Sequence, residues 1–403
     1  MHNLVKESER GEPSLSAISS VREVIPSSVI TISVHDARDW PTLAPIWSEL
    51  AHNSPYSSFY LSPEWMTAWL DVFAAHVPFQ LLAFEEQGRT VAVCLLTCML
   101  ESRGPFRVLR MYLNSGGEPV AERTLMEFNN ILCLPGKEAA VAAALGNYLH
   151  TLTWDEFAIG GICPGAVLSA LQTKAFPDIP STINLRSTFF VDLDALRASG
   201  LSYLESLSSN TRGQIRRSLR HYADCGAPKI EVAPDLGTAE LFFDEMCRLH
   251  QAIWKYRGKA GAFAPGRRLD FHRALIRSAY PKGGIHLLRV TAGDQTLGVL
   301  YNFVQNGKVY FFQSGFNYAH DRHLKPGLVT HACAIQHYLD HGFKQYDFLV
   351  GDARYKKSLA KSSAPLAWVV FSRATLKSFI IQSLRRMKRR VKRDVERQFS
   401  TWS

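Results

Sequence analysis

The chain is predicted to be an α/β (α+β) protein of two tandem, similar halves, each a mixed, mostly antiparallel sheet flanked by helices. Three observations predict it. With 403 residues the chain exceeds one ordinary core, since domains run to about 100–200 residues. The stretch I-H-L-L-R-V-T-A-G-D-Q-T-L-G-V-L-Y-N-F-V-Q-N-G-K-V-Y-F-F-Q-S-G, starting at Ile285, holds three apolar, β-rich runs joined by Gly-Asp and Asn-Gly turns, the pattern of an antiparallel meander. The first half repeats it. F-Q-L-L-A-F-E-E-Q-G-R-T-V-A-V aligns without a gap at an offset of 206, placing Leu81 on Leu287, Thr90 on Thr296 and Val93 on Val299.

A second alignment comes next in the same order at an offset of 191, with Pro135-Gly136 on Pro326-Gly327, Glu156 on Asp347, Phe157 on Phe348 and Gly160 on Gly351. Between these anchors both halves carry a helix-like segment, A-A-V-A-A-A-L-G-N-Y-L-H and L-V-T-H-A-C-A-I-Q-H-Y-L. Each half therefore reads meander, Pro-Gly, helix, strand, which points to an internal duplication. The expected divisions are a polar leader at 1–28, a first domain at 29–195, a second at 196–372 and a basic amphipathic helix at 373–403. The copies diverge after their last matched strand. The first reads G-G-I-C-P-G and the second G-D-A-R-Y-K-K, so chemistry is expected in the second.

Composition narrows the class. An apolar fraction of 46% with 20% charged residues is globular, and no apolar run is long enough to span a bilayer. The N-terminus lacks the apolar core of a signal peptide, and seven scattered cysteines without a CxxC pair read as reduced core thiols of a cytoplasmic protein. Of the net charge of +10, Arg373–Gln398 supplies +8, from ten Lys/Arg against two acids, so the body of the protein is nearly neutral. Walker, G-x-S-x-G and strand-linked G-x-G-x-x-G motifs are missing, and histidines 320, 323, 331, 337 and 341 fit no metal-ligand spacing, so no metal is expected.

Pro-Gly before a helix, in K-P-G-L-V-T-H-A-C, leaves first-turn N–H groups for an anion beside Lys325, or else simply starts a helix. The strand Tyr346–Val350 should return parallel to the last meander strand, and a ligand wedged between two such strands is a common α/β site.

The stretch F-F-Q-S-G-F-N…L-K-P-G…Y-D-F-L-V-G-D-A-R-Y-K, with S-S-N-T-R-G-Q-I-R-R-S-L-R upstream, resembles the GNAT-fold acyltransferases, in particular the group linked with cellulose or exopolysaccharide synthesis and with Fem-type aminoacyl transfer. The resemblance covers about residues 205 to 360, and F-Y-L-S-P-E-W-M-T-A-W-L in the first half matches more weakly. It implies tandem GNAT domains and an acyl-CoA co-substrate in the second, between its fourth and fifth strands. The pyrophosphate would lie on Lys325, Pro326, Gly327 and Leu328, although H-L-K-P-G-L lacks the spaced glycines of many GNAT loops.

Acyl transfer to an amine needs a base, a polarised carbonyl and an acid for the thiolate. Tyr355 resembles in position the GNAT tyrosine that protonates the thiolate; the alternative is a packing phenol. Asp352 can bind an acceptor ammonium or cap the next helix. Asp347 can be a buried base, but its counterpart Glu156 in the first copy favours a structural role. Gln313, Ser314 and Gly315 on the facing strand would orient the acyl carbonyl, and Lys356 would meet an anion. Arg212 and Arg216, four apart on one helix face, suit a phosphate or carboxylate of CoA or acceptor, or are solvated. Trp254 and Tyr256 shape an acceptor pocket or pack in a core.

The tail carries Leu376, Phe379, Ile380, Leu384, Met387 and Val391 within about 140° of a helix circumference. Residues 373–399 then read as a helix on an anionic membrane, with docking on the protein or on nucleic acid as alternatives. The expected function is acyl-CoA-dependent N- or O-acyl transfer to a small or lipid-linked acceptor, an amine of a cell-envelope, lipid or polysaccharide precursor. The expected location is cytoplasmic, either free or peripheral on the inner face of the membrane. The alternatives are aminoacyl-tRNA-dependent transfer, in which tRNA is the nucleic-acid partner, and a non-catalytic adaptor.

Overall fold

A computed structural model describes residues 29–259, 261–318, 324–375, 377 and 380. The leader 1–28, histidines 320 and 323, and Leu376, Phe379, Leu384, Met387 and Val391 of the tail lie outside the described residues.

The first half runs β1 (Thr31–His35), α1 (Trp40–Asn53), α2 (Pro63–Phe73), β2 (Phe79–Glu86), β3 (Arg89–Arg103), β4 (Phe106–Leu113), β5 (Leu132–Cys133), α3 (Glu138–Thr151), β6 (Glu156–Ile162), α4 (Ala166–Ala170) and β7 (Ser181–Asp192). Short helices α5 (Leu193–Ala198) and α6 (Tyr203–Ser206) lead to α7 (Ser209–Ala223). The plan then recurs as β8 (Pro228–Val232), α8 (Leu236–Tyr256), α9 (Arg267–Ala279), β9 (Ile285–Ala292), β10 (Gln295–Gln305), β11 (Lys308–Phe316), α10 (Pro326–Asp340), β12 (Gln345–Val350), α11 (Arg354–Leu359) and β13 (Ser362–Ser372).

The expected meander is β9-β10-β11, with Asn306-Gly307 turning at positive φ between β10 and β11. Here Gly-Asp and Asn-Gly do what their backbone freedom allows. The repeated Pro-Gly is used differently in the two copies. Pro326 is the first residue of α10, whereas Pro135-Gly136 forms a turn ahead of α3.

Both halves share one sheet, in the order β1-β2-β3-β4-β6-β13-β7-β12-β11-β10-β9-β8, with β5 beside β3. The centre of that order is an exchange of strands. β7, the last strand of the first half, pairs antiparallel with β12 of the second, and β13, the last of the second, pairs antiparallel with β6 of the first. The two exchanged strands pair with each other from Ser362–Phe190 to Phe371–Ser181. Neither half can complete its sheet alone.

One core lies on the face covered by α1, α2, α8 and α9, and joins Leu81 and Val93 of the first half to Leu287, Val299 and Tyr301 of the second. Aromatic side chains carry that junction: Phe59 stacks on Phe303 with centroids 4.5 Å apart, and Trp65 meets Phe271 at 4.9 Å. The opposite face is covered by α3 and α4 in the first half and by α5, α6, α7 and α10 in the second. Among the described residues no helix is long and apolar enough to cross a membrane. The seven cysteines are free, with Cys94 and Cys133 buried but Cys163 and Cys225 exposed, so the core reading holds for only part of the set.

The strand exchange predicts that ending the chain at Lys361 leaves β6 with only β4, and β7 with only β12, as a strand partner. Amide hydrogen exchange should then show lost protection at Phe157–Ile162 in the first half. Intact protection there would mean that the first half closes without β13.

Candidate active site

In each half two parallel strands meet briefly and then part. β4 and β6 pair only from Arg110–Glu156 to Tyr112–Ala158, and β11 and β12 only from Lys308–Gln345 to Tyr310–Asp347. Past these short ladders the halves differ. In the first, the chain fills its own gap. Asn114 Nδ2 donates to Asn129 Oδ1 at 2.9 Å and to the Asn130 carbonyl at 2.6 Å, Asn129 Nδ2 donates to the Leu113 carbonyl at 2.9 Å, and Asn129 bridges to Ile162 of β6. β5 then pairs with β3 at Ala92 and Val93. In the second half β11 runs on to Phe316 on β10 without pairing β12 beyond Tyr310, so among the described residues the gap between Phe311–Phe316 and Phe348–Val350 holds no strand.

A register shift at Tyr301/Asn302 puts a bulge in β11 at Phe312, turning Phe312 and Gln313 to one face together. Gly315 is required by the protein's own backbone, because a Cβ there would lie 2.3 Å from the Met246 carbonyl of α8. Gln313 Oε1 accepts from the Ser314 N–H. Ala262 N–H donates to His250 Nε2, so His250 Nδ1 carries the proton and donates to the Ser314 carbonyl at 3.2 Å. These contacts fix the wall of the cleft. Gly327 accommodates the ring of Phe316, which would meet a Cβ at 3.2 Å.

Among the described residues no side chain caps α10; the Lys325 N–H is held by Ser218 Oγ of α7 at 3.0 Å, and Lys325 itself is exposed. First-turn N–H groups of such a helix suit an anion. Beside them a cavity of about 760 Å³ is lined by Ser208, Asn210, Thr211, Leu328, Arg354 and Tyr355, with Lys357 and Lys361 also on it. Tyr355 stacks on buried His331 with centroids 5.8 Å apart, and burial raises its phenol, keeping it protonated at neutral pH. The face of α7 on this cavity is that of Asn210, Thr211 and Gln214. Arg212 instead ties the loop before α7, donating to the carbonyls of Glu205 and Leu207, and Arg216 is exposed. Trp254 packs against His250 and lies under Arg257 and Lys259, while Tyr256 is 91% exposed.

The end of β12 is held by three charged side chains, of which Asp347 and Lys356 are buried and Glu127 half-buried. Leu349 has φ +61, a left-handed conformation that costs a non-glycine residue about 1–3 kcal/mol. Asp347 Oδ1 accepts from the Leu349 N–H at 2.7 Å and from the Thr188 hydroxyl, Glu127 Oε2 accepts from the Val350 N–H at 2.7 Å, and Lys356 Nζ donates to the Leu349 and Val350 carbonyls at 3.1 and 2.8 Å. Burial pushes Asp347 up to about 6, raises Glu127 and lowers Lys356, while each acid and the ammonium counteract that effect on the other. Lys356 therefore faces its own backbone rather than the cationic cavity. Glu156, the counterpart of Asp347, instead pairs with Arg110 at 3.2 Å. Asp352 is exposed and does not cap α11, whose N-cap is Ala353.

Glu127 gave no signal in the sequence repeat because it lies on a first-half loop, Asn114–Asn130, that has no aligned counterpart. The loop is held by buried Glu118, which accepts from Trp69, the Gly116 N–H and Thr124. Among the described residues no group of three or more His, Cys, Asp and Glu could hold a metal ion.

A parted strand pair at the start of a helix, repeated in a two-lobed sheet, is a GNAT-like arrangement. Residues 209–357, from the start of α7 into α11, match the family model described as the acetyltransferase (GNAT) domain, so the second half carries a GNAT domain. Both lobes together are similar to solved structures. FemX has a TM-score of 0.53 at 10% identity, over 81% of this chain and 95% of that one. The C-terminal DUF2156 domain of a putative lysylphosphatidylglycerol synthetase from Agrobacterium fabrum has 0.52 at 11%, over 86% and 95%. A conserved protein of unknown function from Bacteroides thetaiotaomicron has 0.50 at 9%, over 85% and 100%. No curated protein matches the sequence.

Asp347 gives a pH test with a definite sign. Its folded pKa lies above the unfolded value near 3.9, so its contribution to stability is present below the unfolded value and is lost as pH rises through about 6. Relative to wild type, Asp347→Asn should gain about 2 kcal/mol of unfolding free energy between about pH 4 and pH 7. Urea denaturation at both ends measures it, and a pH-independent difference would contradict the assignment.

Proposed function

We propose that this chain is an acyltransferase that takes an acyl group from a CoA thioester in the second-lobe cleft and transfers it to an amine, or a hydroxyl, of a cell-envelope, lipid or polysaccharide precursor. The observation that carries the reading is the contrast between the clefts: the first is filled by Asn114, Asn129 and Asn130, and the second, among the described residues, holds no strand. The α10 N-terminus with Lys325 would hold the pyrophosphate, and Arg354, Lys357 and Lys361 would extend that cationic surface. The bulged strand at Gln313 and Ser314 would receive the acyl arm.

Tyr355, protonated and on the donor cavity, is the acid for the departing thiolate. Asp347 serves better as the support of Leu349 than as the base, since its oxygens accept from Thr188, Leu349 and Gln345. Residues 373–399 would bring the enzyme to an anionic membrane surface; Lys377 starts that segment against Asp155 of the first lobe at 2.6 Å.

The test is turnover of acyl-CoA donors of graded chain length with pooled amine acceptors, read as free thiol and product mass. Tyr355→Phe should lower kcat about 10- to 100-fold with little change in donor KM. A wild-type chain that binds no CoA thioester would overturn the reading.

A further inference from the structure

Residues 350 to 355 separate two cavities. Arg354 and Tyr355 line the donor cavity, and Val350, Gly351 and Asp352 line a second one of about 640 Å³, within the usual range for small-molecule sites. The second cavity draws on both lobes: Glu127 comes from the first-half loop, Arg186 from β7 and Trp368 from β13. Glu127 reaches the carboxyl-terminal end of β12, where the cleft opens, and its Oε2 contacts the Val350 N–H.

Arg186 lies over the Trp368 ring at 4.7 Å and its charge also acts on Glu127, partly offsetting the effect of burial there, while a Cβ at Gly160 would be 3.3 Å from the Trp368 ring nitrogen. Stacking orients the guanidinium and leaves its edge donors for an anion. At the lip, Leu125 and Leu185 are 59% and 60% exposed. The pocket thus offers a carboxylate at its inner end, a guanidinium on its wall and apolar surface at its rim.

We propose that this interlobe cavity holds the acceptor, an amine that also carries a carboxylate or phosphate, and that Glu127 takes the first proton from its ammonium. The proposal rests on the donor reading above. With that proton on Glu127, the nitrogen lone pair attacks the thioester carbonyl carbon. The C–S bond breaks with its electron pair on sulfur, and the second proton leaving nitrogen ends on the thiolate by way of Tyr355. Arg186 fixes the acceptor's anionic group, and Asp352 lies on the same cavity with Lys357 3.7 Å from it.

Acceptor binding is measurable without donor by saturation-transfer NMR on the full chain, with 6-aminohexanoate, 5-aminopentyl phosphate and hexylamine as probes. The first two arms show which anion Arg186 meets. Arg186→Leu should weaken the preferred anionic amine at least tenfold and leave hexylamine unchanged. In turnover, Glu127→Gln should lower kcat/KM for the alkyl amine roughly 10²- to 10³-fold, yet lower it less than tenfold for an arylamine, which is already neutral. Equal losses with both amines, or no loss with either, would overturn the role of Glu127. Equal binding of the anionic amines by wild type and Arg186→Leu, or no binding by wild type, would overturn the site. Amine binding with these differences, but no affinity for any CoA thioester, would sink the donor reading and leave the pocket standing.

Discussion

The geometry of the second lobe depends on one kink, at the end of β12. Leu349 is held left-handed because each backbone group around it has a charged partner: Asp347 on its N–H, Glu127 on the next N–H and Lys356 on two carbonyls. Burial raises both acids, and the Lys356 ammonium partly offsets it. Removing one member would leave the others buried and uncompensated, a change that costs several kcal/mol in comparable sites.

The kink also explains why a lobe with a filled cleft accompanies one with an open cleft. Glu127 comes from the first half, and Thr188, which donates to Asp347, lies on the strand that the first half lends to the second. The exchanged strand β7 and the loop that Glu118 braces both act on the same few residues of β12. The first lobe is thus part of the second lobe's site whether or not it binds anything itself.

Much of the fold was legible in the sequence because it is local. Period-two apolar runs and Asn-Gly turns specify the meander, and the repeat at offsets of 206 and 191 specifies the second lobe. The strand exchange was not legible, since either pairing of β7 and β13 satisfies the same apolar pattern. At the site, the resemblance pointed to Tyr355, and Asp352 and the α10 start were singled out by their place at a strand or helix end. Their surroundings were not legible: Lys356 was expected to meet an anion, yet its ammonium reaches back seven residues to the Leu349 carbonyl. Gly315 was expected to help orient the acyl carbonyl, and the space beside its Cα is taken by α8. Glu127 carried no signal, because a loop residue 223 positions from its partner Val350 can be placed only by the tertiary fold.

The central claim is that the donor enters the second cleft and not the first. Hydrogen exchange on the full chain, with and without an unreactive CoA thioether, measures it directly. Protection gained at Phe311–Phe316, at the start of α10 and at Val350–Tyr355, with Leu109–Leu113 and Phe157–Ile162 unchanged, is the predicted result. Protection centred on the first-lobe strands, or equal in both, would contradict it.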